Sequence, residues 1–102
     1  RATGEKFADM LQLYIDNAEA LISALHGALT ENDRALIRRS AHSLKSASGQ
    51  VGARALQAKS ADMERTAETG DAQILADAIT QLQTEFAEVK KDLADIIRDE
   101  IA

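Results

Sequence analysis

The chain has 102 residues, 45% of them hydrophobic, and its only aromatics are one tyrosine and two phenylalanines. It has no cysteine, which excludes disulfides and thiolate metal sites, and its two histidines show no carboxylate spacing suited to zinc. A formal net charge of −5 disfavours nucleic acid as a partner; no proline and only five glycines argue against an all-β fold, which needs frequent turns.

Helix formers dominate what remains, and four amphipathic segments can be read in turn. The first is expected from about Glu5 to His26, with Phe7, Met10, Leu11, Tyr14, Ala18, Leu21, Ile22 and Leu25 recurring every three or four residues. Gly27 is its expected stop, and His26 is placed to meet the last carbonyls. Thr30-Glu31-Asn32-Asp33 offers N-caps for a second helix, about Asp33 to Gln50, with Ala35, Ile37, Ala41, Leu44, Ala47 and Val51 inward. Gly52 breaks the pattern. A third helix, about Ala53 to Glu68, carries Leu56, Ser60, Met63 and Ala67 on its inner face. Thr69-Gly70-Asp71 is a turn and cap before the fourth, about Ala72 to Glu100. Its seam is Ile74, Leu75, Ala78, Ile79, Leu82, Phe86, Val89, Leu93 and Ile96.

Short connections between four such helices predict an all-α, antiparallel up-down-up-down four-helix bundle, with residues 1–102 as one domain. Four helices complete a core by themselves, so the isolated domain is expected to be a monomer. No signal peptide and no apolar run of membrane-spanning length is present, so no direct membrane insertion is expected. The first residue is Arg1 rather than methionine, which reads as a domain cut from a longer protein or a processed product.

The second segment carries the chemistry. At about 100° per residue, Lys45 lies roughly −60°, Ser46 roughly +40° and Gly49 roughly −20° from His42. Arg38 and Arg39 fall at roughly −40° and +60° one turn earlier, while Ile37, Leu44, Ala47 and Val51 lie on the far side. One stripe is therefore aliphatic, and the other presents a histidine among cations and small residues. Ser46, Ser48 and Gly49 are poorer helix formers than alanine, so an open face there suits close approach by a partner. Charge is unevenly spread. Arg34 to Arg65 holds seven basic residues against Asp62 and Glu64, a net +5 that leaves −10 for the rest. The positive segment holds His42 and suits an acidic partner site.

Ala41-His42-Ser43-Leu44-Lys45-Ser46, with Gly52-Ala53 ten residues after the histidine and Leu56 beyond, resembles the histidine-containing phosphotransfer (HPt) domain of two-component phosphorelays. The family usually has glycine where this chain has Ser46. The resemblance implies a bacterial, cytoplasmic phosphoprotein domain, whose parent can be membrane-anchored. It implies a phosphorelay intermediate that takes a phosphoryl group on His42 from a receiver-domain aspartyl phosphate and passes it to a receiver aspartate. Such a domain is a carrier without kinase activity of its own, part of a hybrid sensor kinase or a stand-alone shuttle. Its partners are receiver domains of response regulators or hybrid kinases. No cofactor or metal is expected on it, since Mg²⁺ belongs to the receiver. Lys45 then stabilises the transferred charge. Arg38, Arg39, Ser46, Gly49, Gln50 and Glu64 form the docking face, with Gln50 or Glu64 bonding the second ring nitrogen. Glu64 is favoured for that bond by its expected place on the facing helix. The alternative is a non-phosphorylated bundle adaptor that binds a receiver or kinase partner.

Overall fold

The computed structural model describes residues 2–102, so Arg1, the first residue of the expected domain, lies outside the described residues. Four helices follow one another: α1 (Ala2–Thr30), α2 (Arg34–Gln50), α3 (Arg54–Thr66) and α4 (Ala72–Ile101). α1 packs on α2 and α4, and α3 packs on the same two, so α2 and α4 are diagonal. This is the up-down-up-down bundle, drawn out to 48 × 19 × 18 Å. Among the described residues no helix is long and apolar enough to cross a membrane.

The first two connections share one geometry, and it sets where α2 begins and ends. After α1, the Asp33 N–H reaches the Ala28 carbonyl at 2.8 Å and the Asn32 N–H reaches Leu29 at 3.1 Å. After α2, the Ala53 N–H reaches Ser48 at 2.9 Å and the Gly52 N–H reaches Gly49 at 3.2 Å. Each is a Schellman closure, which needs one left-handed residue; Asn32 (φ 54°) and Gly52 (φ 77°) supply it. Asp33 then caps α2 by accepting from the Leu36 N–H at 3.0 Å.

Gly27 therefore does not stop α1, which continues through it to Thr30, because Asn32 rather than glycine takes the left-handed position. α3 ends at Thr66, two residues before the expected Glu68. There the Arg34 guanidinium donates to the carbonyls of Ala67 (3.1 Å) and Gly70 (2.6 Å), satisfying acceptors that the helix end leaves open. Arg34→Ala is expected to lower unfolding stability by roughly 1.5–3 kcal/mol, the range for hydrogen bonds to a charged group. Urea titration measures it; an unchanged midpoint and slope would remove Arg34 from the α2–α3–α4 junction.

Ile37, Ala41 and Leu44 of α2, Leu56 and Met63 of α3, and Leu75, Ile79 and Leu82 of α4 close on Leu11, Ile15, Ala18, Ile22 and Leu25 of α1. Phe7 and Met10, expected inward, are 41% and 50% exposed, while Ala8 and Ile15 take the inward places. Ser48, close to the end of α2, already lies against Tyr14, so Phe7, two turns earlier, reaches past the end of α2, while Met10 borders an open groove beside Ala47, Gln50 and Val51. Ile96 is exposed on the corresponding part of α4. Ala35 and Ile74, in the first turns of α2 and α4, are also exposed.

Ser48 is fully buried, not on the open face; at roughly −120° from His42 it points inward. Its hydroxyl and that of Tyr14 are 2.8 Å apart. Burial pushes the Tyr14 phenol up from its ordinary value, and the Ser48 bond draws it partly back. Ser60, also fully buried, donates to the Leu56 carbonyl. The hydroxyls of these two fully buried serines are thus paired, as a dry aliphatic core demands.

Candidate functional site

The stripe on α2 is positioned by its opposite face. Ala41 and Leu44 are fully buried on either side of His42, so the imidazole points outward with 58% of its surface exposed. α3 runs antiparallel alongside, and three pairs share one register: Arg38 with Glu68, His42 with Glu64, and Gly49 with Gln57.

Glu64 is the hinge of the site. One carboxylate oxygen lies 2.7 Å from His42 Nδ1 and the other lies 2.7 Å from Lys45 Nζ. The Lys45 hydrogen bond, then the His42 hydrogen bond, hold the Glu64 carboxyl below its ordinary value of 4.5. A carboxylate accepts, so a proton sits on Nδ1; in the neutral ring Nε2 then holds the lone pair, on the side of the ring away from Glu64. Of the two candidates for bonding the second ring nitrogen, the structure brings Glu64 to it and not Gln50. Gln50 is exposed on the α1 flank, where it borders a groove of about 530 Å³ with Met10, Leu13, Ala47 and Val51.

The sign of the Glu64 shift gives a pH prediction. A carboxyl lowered on folding adds stability above its ordinary value, and that stability is lost as pH falls through the lowered one. The stability difference between wild type and Glu64→Gln is therefore expected to be constant at neutral pH and to shrink below about pH 4.5. Urea midpoints across the acid limb measure it; a difference independent of pH would mean that Glu64 is not ionised in these contacts.

Arg38 is tied to Glu68 at 3.0 Å. Arg39 and Ser46 are exposed. Gly49 is half-buried, and a Cβ there would lie 2.6 Å from Gln57 Nε2. Its missing side chain thus makes room for α3 and not only for a partner. Gln57 and Glu68 were not singled out from the sequence, although they lie seven before and four after Glu64, on its helical face. His26 does not cap α1. It sits a turn before the helix end, with Nε2 3.0 Å from Gln83 Oε1 on α4. Among the described residues no group of three or more His, Cys, Asp or Glu side chains is arranged to hold a metal ion.

A family model for the Hpt domain matches residues 9–92. Among solved structures, histidine-containing phosphotransfer protein B (HptB) from Pseudomonas aeruginosa PAO1 is similar, with a TM-score of 0.88 and 28% identity. The match covers 92% of this chain and 82% of that one. No curated protein sequence matches.

Proposed function

The chain belongs to the Hpt domain family, whose role is histidine phosphotransfer in phosphorelays, and from that premise we propose that His42 is its phosphoacceptor. The observation that supports this reading is the Glu64 bond to Nδ1, which in the neutral ring leaves the lone pair on Nε2 of an exposed, outward imidazole.

The step balances on the residues present. The Nε2 lone pair attacks the phosphorus of a receiver's aspartyl phosphate; the N–P bond forms as the acyl P–O bond breaks, and the carboxylate leaves with the electron pair. The ring becomes a phosphoimidazolium whose Nδ1–H faces the Glu64 carboxylate, so its new positive charge is stabilised where it forms. Lys45 Nζ has one donor on Glu64 and its others free for the phosphoryl oxygens. Transfer to a receiver aspartate is the reverse. Mg²⁺ comes with the receiver, whose acidic residues hold it. The receiver docks over Arg38, Arg39, Ser46, Gly49, Gln50 and Glu64. The domain acts as a monomeric cytoplasmic carrier, within a hybrid kinase or as a free shuttle.

The test is to incubate the chain with a panel of phosphorylated receivers and to follow acid-labile, alkali-stable label. Label mapping to His42 by mass spectrometry is expected. Label at another residue, or none across the panel, would overturn the assignment.

A further inference from the structure

Three cations flank His42 on α2, and the structure treats them differently. Arg38 is held by Glu68, and Lys45 by Glu64. Arg39 is exposed and makes no hydrogen bond or ion pair among the described residues. With a neutral imidazole, the Arg38–Glu68 and Lys45–Glu64 pairs cancel in charge, and the uncompensated cation beside the ring is Arg39.

Its position adds to its charge. Arg39 precedes His42 by three residues, a spacing that sets Cβ atoms about 5–6 Å apart on one helix face. It lies roughly +60° from His42, on the flank away from Lys45. Glu64 holds Nδ1 toward α3, and the two ring nitrogens point in nearly opposite directions, so Nε2 is on the side of the ring away from α3, and Arg39 is the cation on α2 that lies on that side of the helix. A guanidinium is a planar fork of donors that matches two phosphoryl oxygens, where an ammonium is a point charge.

We propose that Arg39 contacts the phosphoryl group carried by His42 and supplies the net positive charge that holds it. This rests on His42 as phosphoacceptor. Lys45 then acts within a neutral pair on the α3 flank, and Arg39 closes the opposite flank of the phosphorylated ring through its N–H donors. No bond changes in the contact itself.

The test uses phosphoramidate, a small phosphodonor that needs no receiver, with the full chain. Phosphohistidine formation is followed by phosphorus NMR for wild type, Arg39→Gln, Arg39→Lys and Lys91→Gln. Lys91 is an exposed residue of α4, which does not pack on α2, so its variant removes an equal charge remote from the site. Labelling of Arg39→Gln is expected to be about tenfold slower at low salt, with the gap narrowing at high salt. Arg39→Lys should recover part of the rate, and Lys91→Gln should match wild type. If wild type is labelled on His42 and Arg39→Gln keeps its rate, or slows no more than Lys91→Gln, the Arg39 contact is wrong and the phosphoacceptor stands. If wild type takes no label at His42, the phosphoacceptor reading itself falls, and this contact with it.

Discussion

His42→Gln is expected to take up no phosphoryl group from any receiver while keeping the bundle folded. Glutamine keeps a polar side chain of similar reach, but its amide nitrogen has no lone pair free for attack on phosphorus. The fold has little to lose. His42 is largely exposed, and the packing on either side belongs to the fully buried Ala41 and Leu44. The bond to Glu64 is partly replaced, because an amide N–H can donate to the same carboxylate. The stability change should stay within about 1 kcal/mol, as for an exposed ion pair. Acid-labile label and a thermal melt on one preparation measure both effects. Label that persists, or that moves to His26 in equal yield, would break the assignment. His26 is a fair control, since it is exposed yet sits toward α4, beside Gln83 and away from the cations of α2.

The outward face of α2 was legible because it needs only the helical repeat and residue type. Ile37, Ala41 and Leu44 are too apolar to leave the core, and 100° steps then fix His42, Lys45 and Ser46 outward. Glu64 was legible one step further, once α3 was folded back along α2. What failed depends on length and register, which no single helix reveals. Phe7 and Met10 follow the apolar period of α1, but the period does not show that Phe7 lies past the end of α2 or that Met10 faces an open groove beside it. Gly27 reads as a stop because glycine favours left-handed turns, yet the chain places Asn32 there and leaves Gly27 helical. Ser48 reads as part of a small open patch because serine is a poor helix former; Tyr14, 34 residues away in sequence, satisfies its hydroxyl in the core. Gly49 shows the same limit. By propensity alone, Gly49→Ala gains up to about 1 kcal/mol, but the new methyl must first displace the Gln57 amide.

Ser46→Trp is expected to slow transfer from a receiver by tenfold or more, about 1.4 kcal/mol, with the loss in docking. Ser46 lies one turn beyond His42 at roughly +40°, exposed, on the ridge that runs from His42 through Ser46 to Gln50. An indole there stands over the path by which a folded partner must bring its phosphoaspartate to Nε2. It should not disturb the helix, because serine and tryptophan have similar helix propensities and the site packs on nothing. Ser46→Gly, which restores the residue usual in the family, should dock at least as well while costing the helix a few tenths of a kcal/mol. Size and chemistry separate when each variant is labelled with a receiver and with phosphoramidate. A steric block should slow transfer from the receiver far more than labelling by the small donor. Equal slowing with both donors would mean that residue 46 disturbs the imidazole rather than the partner. Full-speed transfer from a receiver to Ser46→Trp would show that the partner does not pack over this face of α2, and the docking surface would have to be sought on another flank of His42.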